Sequence, residues 1–289
     1  MLLGDALSLL LSCFRAHLLP FGNQAGCCTR LRGVPPQTSV RPSPVRGSFV
    51  FPPSSAPERT GPGVDPIPTD LATAVGQANE AIRRTLEAYP GRTTLSCSFG
   101  GPSGMVLLDL ALRIEPQLNV FVVDTELLFP ETYALIERVE RRYGITVERV
   151  HPEQSVDAQN ATHGEALWKR DPDACCDLRK VEPLLAHLQK FDAWLTAVRR
   201  EKSDTRTDLP VQSWDENAQI LKVAPLVEWT EADVWAYVQE HDVPVNTLHF
   251  EGYPSIGCTH CTRRVAAGEH ARAGRWAEFD KTECGIHVA

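Results

Sequence analysis

No stretch of this 289-residue chain reaches the roughly eighteen apolar residues that a membrane-crossing helix needs, so no membrane partner is expected. Positive charge is also in short supply. Lys and Arg total 29 against 37 Asp and Glu, a net charge of −8. That balance, with no basic stripe, gives no bulk attraction to nucleic acid or to an anionic surface. Any anionic ligand must therefore be held by a local basic cluster. There is no internal repeat. A small disulfide scaffold is excluded as well, since nine cysteines, an odd number spread over this length, fit a reducing compartment and a metal site better. A cytoplasmic location is expected. Residues 1–64 hold no Lys, six Arg and only two acids, Asp5 and Glu58. Their composition permits a signal or transit peptide, a disordered extension, or an upstream stretch mistakenly read into the frame. An oxidising destination suits clustered thiolates poorly, so residues 1–65 are expected to be one of the last two, with Cys13, Cys27 and Cys28 outside any site.

What remains, 66–289, is regular. A hydrophobic fraction of 43% is ample for a core. Leu71, Val75, Ala78, Ile82 and Leu86 fall on one helical face, predicting a helix over 71–89. Thr93 to Ser98, Asn119 to Val123 and Ile145 to Val150 read as strands, separated by helices from about Ser103 and from Pro130. Asp192 to Val198 and Gln219 to Val223 are further strand candidates. Thr230 with Asp233 reads as a helix N-terminus. Alternating strands and helices predict an α/β fold with a doubly wound, mostly parallel sheet and helices on both faces. After His241 periodicity fades, predicting loops and short helices, then a mobile tail over about 266–289.

Ser98-Phe99-Gly100-Gly101-Pro102-Ser103 joins a strand to a helix. Small residues there let backbone N–H groups approach phosphate oxygens at a helix N-terminus. No Gly-Lys-Ser/Thr follows, which excludes a Walker loop. An ordinary strand-to-helix turn would look the same. Asp124, ending the next strand, sits where open α/β sheets bind ligands, and a plain capping role is equally compatible. Most of the information lies in Cys175-Cys176, in Cys258-Thr-His-Cys261, and in Cys284 near the end. Four thiolates can close a metal shell while a separate thiol acts as nucleophile. A [4Fe–4S] cluster, a structural zinc site and a redox dithiol at Cys258/Cys261 all remain open on spacing alone. Adjacent cysteines can both ligate only on a bent backbone. His260 is an alternative ligand or an exposed loop residue. Lys180 follows Cys176 by four residues, on one helical face, where it either offsets thiolate charge or belongs to a solvated basic face.

Cys175-Cys176-Asp-Leu-Arg179-Lys180-Val-Glu-Pro183-Leu184 resembles the double-cysteine motif of assimilatory adenylylsulfate (APS) reductases. So do Tyr253-Pro-Ser-Ile-Gly257-Cys258-Thr-His-Cys261-Thr262, Arg272-Ala-Gly274-Arg275-Trp276 and the ending Glu283-Cys284-Gly285-Ile286-His287. The motifs run in order from about Ser98 to His287. The resemblance implies an adenine nucleotide alpha hydrolase-like (PP-loop) fold. It implies a [4Fe–4S] cluster on Cys175, Cys176, Cys258 and Cys261, and Cys284 as the nucleophile that takes the sulfur of APS as S-sulfocysteine. AMP leaves, and thioredoxin or a similar dithiol frees sulfite. In this family Arg272 and Arg275 match phosphosulfate-binding positions and Lys180 the basic residue beside the cluster. Ser98, Gly100, Gly101, Ser103 and Asp124 would contact nucleotide, and Arg199, Arg200 and Arg206 lie in another family element. His287 would bind substrate or tune Cys284, though a tail histidine is as often inert. With no redox domain after Cys284, the donor is expected to be a separate protein, and a homo-oligomer is compatible with the chain.

The sister enzymes that reduce the 3′-phosphorylated nucleotide, PAPS, share the loop and tail but lack the four cluster cysteines, which places this chain on the APS side. ATP-using PP-loop thiolation enzymes share the loop but not the tail. The chain departs from the pattern at Pro102, which removes a donor, at Glu126, where Gly is usual, and at Ala197, which adds a methyl near the expected adenosine.

Overall fold

A computed structural model of the protein describes residues 70–202 and 206–286; the expectations for 1–65 and for His287 lie outside the described residues. Six strands form one sheet in the order β3-β2-β1-β4-β6-β5. They are β1 (Thr93–Ser96), β2 (Asn119–Val123), β3 (Glu148–Val150), β4 (Ala193–Leu195), β5 (Gln212–Asp215) and β6 (Ile220–Val223). All pairs are parallel except β5 with β6. The doubly wound, mostly parallel sheet is therefore as expected. The antiparallel edge strand β5 is not in the sequence reading. Its burial alternates and Trp214 is 54% exposed, so it carries none of the continuous apolar signal of a buried strand.

Strand side chains alternate between two apolar layers. Leu95, Val120, Val122, Leu195 and Val223 point into the larger layer with α1 (Leu71–Ala88), α2 (Pro102–Ile114), α3 (Pro130–Tyr143) and α8 (Glu231–Glu240). Phe121, Trp194 and Ile220 point the other way, against Leu184 and Leu188 of α7 (Glu182–Leu188). Three short helices lie between β3 and α7: α4 (Val156–His163), α5 (Leu167–Arg170) and α6 (Pro172–Cys176). Helix ends follow local chemistry. Pro102 and Pro130 occupy first-turn positions, Gly144 ends α3 in the left-handed region, and Thr230 with Asp233 closes a capping box on α8.

One buried carboxylate ties three helices of the larger layer together. Asp109 of α2 is 2% exposed. It accepts from the hydroxyl of Tyr143 at the end of α3 (2.8 Å), the hydroxyl of Tyr237 in α8 (2.7 Å), and Nε of Arg113 (2.7 Å). Asp109→Ala leaves both phenols without an acceptor and should cost about 2–4 kcal/mol. Chemical denaturation should show a lower midpoint with an unchanged slope, while Asp109→Asn retains part of the loss.

Candidate active site

The strand order reverses between β1 and β4, and open α/β sheets bind ligands beyond the carboxyl ends of strands at such a point. A cavity of about 220 Å³ lies there. Ser98, Gly100, Gly101 and Ser103 line it from the β1–α2 loop, Ala197 from the end of β4, and Arg206, Arg272 and Arg275 from later segments. The loop is shaped by close approach. Phe99 is buried with φ of 54°, and its carbonyl accepts from Asn246. A side chain at position 100 would put Cβ 2.6 Å from the Ile256 carbonyl oxygen, so only Gly fits. Gly101 caps α2 without a side-chain acceptor, which leaves the helix N-terminus free for an anion. Pro102 stands at the first helical turn, where its missing N–H has no intrahelical partner to lose.

The cysteines come together from two directions. Cys175 and Cys176 end α6, and a π-helical turn, Asp177–Val181, follows at once. That wider turn is the local bend adjacent cysteines require. Cys258 and Cys261 flank a 3₁₀ turn. It is anchored by the Thr259 N–H to the Leu127 carbonyl (2.8 Å) and by a bridge between Leu128 and Cys258. A Cβ at Gly257 would meet the Arg275 guanidinium, so the glycine leaves that long side chain room to lie against the turn. Among the described residues no three His, Cys, Asp or Glu side chains are close enough to share a single ion. All six described cysteines are free thiols.

Electrostatics divides these sulfurs. Burial pushes the Cys175 thiol up to about 11, helped by Cys258 and Cys261. Burial likewise takes Cys176 to about 12 against the pull of Lys180. Burial opposes ionisation of Cys258 too, yet Lys180, the Thr125 hydroxyl at 3.3 Å and Arg275 together hold it below the ordinary thiol range. Lys180 is itself driven above its usual value: desolvation opposes its charge, but Cys258, Cys284 and Cys176 outweigh it. The π turn thus keeps Lys180 facing Cys176 although the spacing is not that of a regular α-helix. Arg179 points elsewhere. It is 1% exposed and donates to the Thr125 carbonyl (2.8 Å) and to Glu126 (2.8 Å), buttressing the strand end that meets Cys258.

The tail is docked in this structure. Lys281 pairs with Asp173 of α6. Glu283 accepts from Arg206 at 2.7 Å and lies 3.5 Å from Arg272, while Arg272 also donates to the Thr282 carbonyl. Ile286 packs on the layer of Phe121 and Leu184. Half-buried Cys284 is thereby held near the Lys180 ammonium and the Cys176 thiol, next in sequence to Glu283, which meets two of the arginines that line the cavity.

Residues 92–264 match the phosphoadenosine phosphosulfate reductase domain. A curated relative from Halalkalibacterium halodurans, named adenosine 5′-phosphosulfate reductase, is 43% identical over 209 residues, spanning 72% of this chain and 90% of the relative. The chain belongs to the phosphoadenosine phosphosulfate reductase family. A solved member of that family, the phosphoadenylyl-sulfate reductase of Candida auris in a phosphate complex, is 30% identical with a TM-score of 0.57, over 69% of this chain and 99% of that one. The FMN adenylyltransferase of Candida glabrata, 20% identical with a TM-score of 0.50 over 67% of this chain and 65% of its own, shares the fold alone.

Within this reductase architecture, two residues expected at the nucleotide have other partners. Asp124 does not line the cavity; its carboxylate accepts from the Tyr133 hydroxyl (2.7 Å) and the Glu126 N–H (3.0 Å). Arg199 is fully buried and supports the loop from behind. It donates to Ser103 Oγ (2.9 Å), the Trp229 carbonyl (2.9 Å), Glu201 (2.8 Å) and Glu231. Conversely, Lys202 lines the cavity without having been singled out. Glu126 adopts φ of 59°, which accounts for Gly being usual there, and turns its carboxylate to Arg179.

Glu231 carries a testable consequence. Burial would raise its pKa, but Lys202 (2.6 Å) and Arg199 hold it below the ordinary carboxylate range. Its contribution to stability is complete above the unfolded-state value and is lost as pH falls through the lowered folded value. Thermal melting of Glu231→Gln from neutral into acid pH should show a lower melting temperature at neutral pH and a flatter acid limb.

Proposed function

We propose that this protein reduces APS to sulfite and AMP in sulfate assimilation, using a separate dithiol protein such as thioredoxin in the cytoplasm. The observation that carries the reading is the position of Cys284, held near Lys180 and next in sequence to Glu283, which meets Arg206 and Arg272 on the wall of a cavity that Arg275 also lines. A thiolate attacking a phosphosulfate anhydride meets an anion, so attack requires cations on both partners. Lys180 places a cation beside the attacking sulfur, and the guanidinium forks suit the phosphosulfate oxygens.

The steps balance. Cys284 Sγ forms a bond to the sulfate sulfur, the bond from that sulfur to the bridging oxygen breaks, and AMP departs with the electron pair. One thiolate of the donor then attacks Cys284 Sγ, and sulfite leaves with the electrons of the S–S bond. The donor's second thiolate resolves the mixed disulfide, returning Cys284 as a thiol and the donor as a disulfide. Sulfur goes from the oxidation state of sulfate to that of sulfite, and the dithiol supplies the two electrons. The loop of Gly100 and Gly101 and the N-terminus of α2 would seat the nucleotide phosphate.

Cys175, Cys176, Cys258 and Cys261 would hold a [4Fe–4S] cluster. Three buried thiols and one half-buried one, two of them pushed well above the ordinary range, make physical sense when iron takes them as thiolates. Four irons, each with its own thiolate, ask for wider spacing than one zinc. Such a cluster would supply fixed charge beside Lys180 and would pin α6 to the 258–261 turn; electron supply stays with the dithiol. PAPS is the competing substrate, and relative turnover on the two nucleotides separates them.

Incubation of the iron-loaded protein with APS and no reductant should add one SO₃ group to the intact chain, mapped to Cys284. Cys284→Ser should carry no adduct and lose turnover by at least about a thousandfold. Active wild type without an adduct would overturn the covalent route.

A further inference from the structure

The contact between Glu283 and the cavity arginines does more than fasten the tail. Arg206 and Arg272 are mostly buried, with side chains 10% and 20% exposed, and Glu283 is 11% exposed. Their ion pair is incompletely satisfied. Arg206 Nε and Glu283 Oε1 are both buried and neither has a hydrogen-bond partner. A carboxylate that leaves donor and acceptor capacity unused in a buried site is a replaceable ligand, because a tetrahedral oxyanion offers the same forks more acceptors. These arginines line the same cavity as the β1–α2 loop. The tail has an independent anchor in Lys281, whose side chain is 8% exposed, pairs with Asp173 of α6 and lies 5.5 Å from the Trp276 ring centre.

Resting on the function proposed above, we infer that Glu283 is an internal competitor for the substrate's anionic end. In the free protein it occupies the Arg206/Arg272 pair. Arriving phosphosulfate takes the pair over, and Lys281 on Asp173 keeps the tail and Cys284 in place. The docked tail therefore lowers the apparent affinity for substrate by the fraction of molecules in which the pair is occupied. The carboxylate is released only when the cavity is filled, while the tail stays anchored on Asp173.

The test uses the full-length, iron-loaded protein carrying Cys284→Ser, so that APS binds without reacting, and measures APS affinity by titration calorimetry. Adding Glu283→Gln should tighten APS binding by about three- to tenfold. Adding Lys281→Met, which loosens the tail at its other anchor but leaves the Glu283 carboxylate present, should tighten binding by clearly less than Glu283→Gln does. Unchanged or weaker binding in Glu283→Gln would show a purely structural contact and overturn the inference, as would equal tightening in Lys281→Met. If the Cys284→Ser protein binds no APS at all, the proposed function fails and this inference with it. If APS binds but Glu283→Gln has no effect, only the competitor is lost.

Discussion

Lys180 is the interaction on which the site depends. Its half-buried side chain feels Cys176, Cys258 and Cys284, so one cation serves both the cysteine quartet and the proposed nucleophile. Desolvation alone would neutralise an amine in such a place. The sulfurs reverse that balance, and the charge they stabilise in turn favours thiolate at Cys258. The dependence is mutual at Cys258: the sulfurs hold the Lys180 charge against desolvation, and Lys180 favours the Cys258 thiolate, while Cys175 and Cys176 stay raised even beside it. Removing one partner from such a buried group is costly because the remainder is left uncompensated. The π turn at Asp177–Val181 matters for the same reason. It follows the adjacent cysteines, gives the backbone its bend, and returns Lys180 to the side on which Cys176 lies.

Much of this was legible in the chain. The cysteine pairs, the small-residue loop and the paired arginines are marked by rare residue types at fixed spacing, and the alternating strands and helices announce a parallel sheet. What could not be read was the destination of each charge. Arg199 looks in sequence like any free cation near a family motif. Only folding sets the Trp229 carbonyl, Glu201 and Glu231 around it and turns it into a strut behind Ser103. Asp124 sits at the correct strand end for ligand binding, yet the hydroxyl of Tyr133, nine residues on, reaches it first. Lys202 drew no notice because Lys in a charged stretch is ordinarily solvated. The edge strand β5 escaped because an exposed, half-polar strand lacks the apolar run that identifies its neighbours.

The departures from the family pattern look different once their partners are known. Pro102 costs nothing at the first turn of α2, where its N–H would have had no intrahelical acceptor. Glu126 pays for a left-handed backbone with an ion pair to Arg179, and Arg179 steadies the strand end that holds Thr125 against Cys258. Its effect is thus on the sulfur side of the site. Pro102 and Ala197 both lie on the cavity wall, so they, unlike Glu126, are positioned to narrow the space for a nucleotide.

Charge placement also suits the proposed nucleophile, Cys284, to a tail. Attack by a thiolate on a phosphosulfate brings anions together, and the barrier falls only if cations flank both before contact. Lys180 flanks the sulfur, while Arg206, Arg272 and Arg275 flank the cavity. Fixed permanently in one rigid wall, that much like charge would repel itself whenever the cavity is empty. A segment carrying Lys281, Glu283 and Cys284 in close succession solves the problem with the chain's own charges. Glu283 neutralises the arginines, Lys281 is neutralised by Asp173, and the thiol between them is brought to Lys180 without a further element. A rigid strand or helix could place Cys284 as well, but it could not exchange one anion for another in the cradle while keeping the sulfur where the reaction needs it.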